Sequence, residues 1–188
     1  HEFNALAYHT EHEGLFLRPH TSKNKKQHQA FLNEFPDDSE EKSAILHFFY
    51  SLPLWLEIDG LRVVHACWDI KHIQTMNSLC PTHCLDRTLL IEASIKGTKA
   101  FNAIEVLLKG FECELEEGVS FHDKDGNPRS AVRVQWWKQN ATNLSEVVLP
   151  VGLDIGDAGE VAVPSNIPKY SASEPLCFIG HYWLDGEP

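Results

Sequence analysis

Three histidines, His1, His65 and His181, stand where apolar segments begin or end. His1 opens the helix-prone run His-Glu-Phe-Asn-Ala-Leu-Ala-Tyr, His65 closes Leu61-Arg-Val-Val, and His181 closes Leu176-Cys-Phe-Ile-Gly. Side chains just past the C-terminal end of a strand are held rigidly by the sheet, and α/β proteins place functional groups there. A histidine in that position must satisfy two ring nitrogens beside a dry core. A divalent metal on one nitrogen and an acceptor on the other does so; a structural histidine with ordinary hydrogen bonds is the competing reading. The chain is also rich in imidazole, with 11 histidines in 188 residues.

Other residues offer weaker chemistry. Cys80-Pro-Thr-His83-Cys84 places soft ligands within five residues, but no second pair follows at zinc-ribbon spacing. Arg87, Arg129 and Arg133 have the fork geometry that holds a phosphate oxygen, and the same residues serve on ordinary surfaces. Asp69 follows His65 by four residues. Asp123-Lys-Asp-Gly-Asn matches the start of a calcium loop without the remainder, which favours a β-turn. Trp136-Trp137 reads as one buried and one partly exposed ring. Five cysteines, an odd number without a framework spacing, suit a reducing, cytoplasmic setting, and the two Asn-x-Ser/Thr matches at Asn140 and Asn143 are taken as chance.

These residues need elements to position them. A helix is expected from the first residues, with Phe3, Leu6 and Ala7 on one side, then loop around Glu11 to Asn24, a solvated helix start at the run Lys23, Lys25, Lys26 rather than an anion patch, and a short helix over Gln27 to Phe35. Asp38-Ser-Glu-Glu41 is a capping-box signature. Ala44, Ile45, Phe48, Phe49 and Leu52 follow as an apolar stripe at helical spacing, and Pro53 stops the helix. Two β-branched, apolar runs flank Asp59-Gly60, the strongest short-range hairpin signal, and the second run delivers His65. Helix is expected from Asp86 to Leu108 with a break at Gly97, and Gly110 is placed to cap it. Strands are expected at 111–115, 119–122, 131–136 and 147–150, and a buried strand at Leu176 to Ile179.

The composition excludes several classes. Hydrophobic residues at 43% and charged residues at 23% argue against disorder, and no apolar run is long enough to span a membrane. A net charge of −11 disfavours a nucleic-acid polymer as partner. It leaves phosphate compounds open where metal ions supply local positive charge.

The run His1-Glu2-Phe-Asn-Ala-Leu-Ala-Tyr-His, the strand-end His65-Ala66 and the late Gly180-His181, in that order and wide separation, resemble motifs of the calcineurin-like metallophosphoesterases. Leu54-Trp-Leu-Glu-Ile-Asp-Gly-Leu-Arg-Val-Val-His-Ala66 is most like bacterial members that resemble both diadenosine tetraphosphatases and serine/threonine phosphoprotein phosphatases. The resemblance runs over residues 1–188. It implies the C-terminal portion of one α/β domain, a partial two-sheet β-sandwich flanked by helices, with an inserted helical and β lobe near 79–139. Asp-x-His, Gly-Asp-x-x-Asp-Arg and the Gly-Asn before the first histidine are absent, and Trp183 stands where many members have a second histidine. By resemblance, His65 and His181 are metal ligands, His1 is the general acid and Glu2 orients it. Divalent ions are the implied cofactors, paired in complete members, with Mn foremost and Fe, Zn or Ni as alternatives. The implied reaction is hydrolysis of a phosphoester or phosphoanhydride in a phosphorylated small molecule, dinucleoside polyphosphate or phosphoprotein. Activity is then expected only with the missing N-terminal segment. The rival expectations are a catalytically silent fragment or interaction module, and a mononuclear metal protein using His1, His65 and His181.

Overall fold

The computed structural model describes residues 2–37, 39–122 and 126–182. His1, Asp38, Asp123, Asp125 and Trp183 therefore lie outside the described residues, and with them the expected general acid, the first residue of the capping box and most of the Asp-rich turn. Six α-helices and several small sheets make a mixed α/β chain. It divides into two compact units, residues 1–54 with 74–104, and residues 55–73 with 105–188.

The first unit is helical. Helix α1 (Glu2–His9) buries Ala5, Leu6, Ala7 and Tyr8, so one short helix is almost wholly committed to packing. The chain then turns through a two-residue hairpin, β1 (Glu11–His12) and β2 (Leu15–Phe16). Its turn residues Glu13 and Gly14 take φ of 52° and 79°. This hairpin replaces the expected loop; its strands are too short to show a period-two pattern in sequence. Helix α2 (Ser22–Glu34) takes in the lysine run expected to start a helix and begins just before it, because the Thr21 hydroxyl accepts the Asn24 N–H and caps it.

Helix α3 (Glu40–Ser51) is capped one residue later than the expected box: the Ser39 side chain accepts from the Lys42 N–H, and a lysine stands at the third helical position where the box places a glutamate. Its apolar stripe behaves differently from expectation. No residue of α3 is buried, and Phe48 is 52% exposed. The helix packs on α1, and eight residues of α1 span only about 12 Å against about 18 Å for α3. Much of the stripe therefore lies beyond its cover.

Helix α4 (Ile70–Leu79) was not expected from the sequence. Asp69 nucleates it by accepting the Lys71 N–H. Helices α5 (Arg87–Ser94) and α6 (Lys99–Lys109) flank the break at Gly97, and Asp86 caps α5 through the Leu89 N–H. Leu89, Leu90 and Ala93 of α5 are buried in the first unit, where α5 also meets α1.

The second unit carries the sheets. Strands β3 (Trp55–Ile58) and β4 (Leu61–Val64) form the expected hairpin. Asp59 and Gly60 both have positive φ, 44° and 82°, as a tight two-residue turn between right-twisted strands demands. Strand β10 (Leu176–Phe178) joins β4 in parallel, giving the order β10-β4-β3. A second sheet pairs β5 (Glu112–Glu114), β8 (Ala131–Val134) and β9 (Val148–Leu149), all antiparallel. Cys113, Val132, Val134 and Val148 share its buried face. A further small hairpin pairs β6 (Phe121–His122) with β7 (Pro128–Arg129).

The strand order decides what the β10-β4-β3 sheet presents. On one face Trp55 and Val64 are buried, and Arg62 lies over the Trp68 ring at 4.8 Å while pairing with Glu57 and Glu174. By register and alternation, Leu56, Ile58, Leu61, Val63, Leu176 and Phe178 share the other face. All six are exposed, from 40% for Leu56 and Val63 to 63% for Leu176. The expectation of a buried final strand is corrected here: β10 is apolar, but its outward side chains lie on an uncovered face among the described residues.

Candidate metal centre

Parallel strands in register end at the same edge of a sheet, and this brings His65 and His181 together. β4 and β10 pair Leu61 with Leu176 and Val63 with Phe178. One residue past β4, the His65 carbonyl accepts from the N–H groups of Gly180 (3.1 Å) and His181 (2.9 Å), two and three residues past β10. The rings then face one another, with His181 Nδ1 3.2 Å from His65 Nε2 and centroids 5.1 Å apart. The two residues are 116 positions apart in the chain.

The backbone around His65 is firmly anchored. Val64, Ala66 and Cys67 are 2%, 0% and 0% exposed. The Ala66 N–H donates to the Leu107 carbonyl at 2.9 Å, and the Ala66 carbonyl accepts from Trp136 Nε1 at 3.0 Å. Gly110 closes α6 with φ 93°, and a Cβ there would run into the Tyr182 hydroxyl, next in chain to His181. A ring on such a scaffold keeps its direction without a ligand to hold it.

Electrostatics favour the neutral imidazole. Burial, followed by the charges of Arg133, His65 and Lys109, pulls the pKa of His181 down to about 4. The ring is therefore neutral at neutral pH, with a lone pair on one nitrogen for metal ligation and a proton on the other. Two nitrogens 3.2 Å apart are also spaced as neighbouring imidazoles on one ion, each bonded at about 2.0–2.1 Å. The donor pair thus fits a share of a metal site. Among the described residues, no group of three or more His, Cys, Asp or Glu side chains is placed to hold an ion.

The remaining candidates disperse. Glu2 is exposed at the start of α1. Asp69 is committed to the N–H of Lys71 and to the ring of His72, with which it makes a short contact. Burial raises the Asp69 pKa, but His72 and the Lys71 N–H outweigh it and hold the carboxyl below its usual range. Cys80 donates its thiol to the Cys84 carbonyl and Cys84 to the Ser51 carbonyl, so both sulfurs act as hydrogen-bond donors. All five cysteines are free thiols. Arg87 holds the Glu11 carbonyl. Arg133 pairs with Glu112 at 3.1 Å, and its buried Nε has no hydrogen-bond partner among the described residues. Trp136 is 2% exposed and Trp137 half-buried, as the sequence suggests.

A second cluster escapes the sequence reading altogether. His9 Nε2 lies 3.1 Å from His28 Nε2, and His20 is stacked between the rings of Tyr8 (3.9 Å) and Phe16 (4.0 Å). The available signal was density: five of the eleven histidines fall within the first 28 residues. Burial, then Lys42 and His28, bring the His9 pKa down to about 4, with Asp37 opposing.

No protein-family model matches the chain, and neither a curated protein nor a solved structure matches it.

Proposed function

We propose that residues 1–188 form the C-terminal portion of a metallophosphoesterase domain in which His65 and His181 bind one divalent ion. The reading rests on the resemblance of the three ordered histidine motifs. The observation that carries it is the meeting of the two strand-end rings at 3.2 Å. The ion, Mn by preference with Fe, Zn or Ni as alternatives, would supply Lewis-acid charge to a phosphate oxygen and an acidified water. His1 would give its proton to the leaving oxygen as the P–O bond breaks, and Glu2 would orient the imidazole. The substrate class is a phosphorylated small molecule, dinucleoside polyphosphate or phosphoprotein.

The uncovered apolar face supports a further part of this reading. Leu61 and Val63 alternate along this face, and the strand that carries them ends one residue before His65. A second sheet laid on that face, about 10 Å away, would end beside the histidine pair and bring the remaining ligands. In this proposal that second sheet completes the two-sheet sandwich. The same face also supports the rival reading, a catalytically silent module that docks on a larger assembly.

The test is metal content and turnover in parallel. After dialysis against Mn, the chain is expected to retain metal that His65→Ala and His181→Ala lose. An N-terminally extended chain is expected to hydrolyse a dinucleoside polyphosphate or a phosphopeptide, with His1→Asn cutting turnover while metal stays bound. Unchanged metal content after removal of both His65 and His181 would overturn the ligand assignment. Metal without hydrolysis in the extended chain would leave the silent module as the better reading.

A further inference from the structure

The first unit contains a cavity of about 560 Å³ between α1, α2 and α3. It is independent of the histidine pair at 65 and 181, and its chemistry is set by Arg18. This guanidinium is half-buried, yet among the described residues it pairs with no carboxylate. Its side-chain partners are neutral: Nη2 donates to Gln27 Oε1 at 2.6 Å and to Asn24 Oδ1 at 3.3 Å. Its Nε is buried with no partner. Burial lowers the Arg18 pKa from its ordinary value, and only Tyr8 acts in the other direction.

The rest of the lining is flat and apolar. Phe31 and Phe49 form part of the wall, with ring centroids 6.2 Å apart, and the His28 ring stacks on Phe31 at 4.7 Å and 17°. Glu2 also lines the cavity and brings a carboxylate to its rim. Lys42, which acts on His28 alongside Arg18, is tied to Asp37. The volume lies within the range of small-molecule sites.

We propose that this cavity binds a small aromatic oxyanion, its anionic head on Arg18 and its ring against Phe31, Phe49 and His28. The charged hydrogen bond supplies the missing counter-ion, and the aromatic wall takes a planar body by stacking.

The experiment is calorimetric titration of the 188-residue chain with phenyl phosphate, benzoate, inorganic phosphate and benzylammonium. Phenyl phosphate or benzoate is expected to bind, the better of the two identifying the head group. Inorganic phosphate is expected to bind at least about tenfold more weakly, having no ring to stack. Arg18→Gln should weaken the aryl anion by about tenfold or more, and Arg18→Lys by less. Lys23→Gln, a cation on α2 outside the lining, should leave affinity unchanged. Should Arg18→Gln fail to fold, NMR of the unaltered chain decides: the His28 ring protons should shift on titration and those of His181 should not. Absence of binding, binding insensitive to Arg18→Gln, a silent His28 ring, or preference for benzylammonium over both aryl anions would each overturn the proposal.

Discussion

His9 shows how a single side chain is altered by the fold. Its ordinary pKa of 6.5 falls to about 4, first through burial and then through Lys42 and His28. Between those values the unfolded chain takes up a proton that the folded chain refuses. Stability contributed by the neutral ring is therefore present above about pH 6.5, is lost as the pH falls toward 4, and changes no further below it. We expect the urea midpoint to drop between pH 7 and pH 5, and to drop less in His9→Asn. Asp69 is depressed in the opposite chemical sense: its contribution is present above the ordinary carboxylate range and is lost as the pH falls through its lowered value. Asp69→Ala removes both the α4 cap and the His72 partner. A loss of about 1–2 kcal/mol in chemical denaturation is expected, and no change would show that α4 holds its first turn by other means. From sequence Asp69 reads only as a residue near His65, although Ile70, Ile73, Met76 and Leu79 recur at helical spacing on the helix that carries its partner His72.

At the scale of elements, local chemistry was the better guide. Ser39, Asp86, Asp59-Gly60 and Gly110 each act within a few residues, through a cap or a backbone conformation, and the structure places them as their types demand. Gly110 has a second constraint that spacing could not reveal, the Tyr182 hydroxyl occupying the place of a Cβ. Gly110→Ala should cost about 1–3 kcal/mol from the φ of 93° alone. Thermal melting with and without Tyr182→Phe separates the two effects: if the clash matters, the double variant recovers part of the loss. Periodicity was less reliable. The α3 stripe and the apolar run of β10 are both real, but how much of each is buried depends on what lies alongside.

The whole molecule poses the question of the six exposed side chains on the β10-β4-β3 sheet. Covering a half-exposed aliphatic or aromatic residue is worth on the order of 1 kcal/mol, so this face forgoes several kcal/mol in the chain by itself. A contiguous apolar patch of this kind marks an interaction surface. Val63→Asp and Phe178→Ser should reduce binding of a hydrophobic dye and improve solubility, with the melting temperature nearly unchanged. A large loss of stability would mean that the face is already covered in solution. The order of the histidine motifs, the hairpin turn and the helix caps could be read from the amino acids, because each depends on neighbours within a few positions or on motif order alone. The parallel pairing that sets His65 against His181, the counter-ion missing at Arg18 and the bare sheet face belong to the tertiary structure. They arise from contacts between residues tens to over a hundred positions apart, and no local pattern specifies which distant segment will close on which.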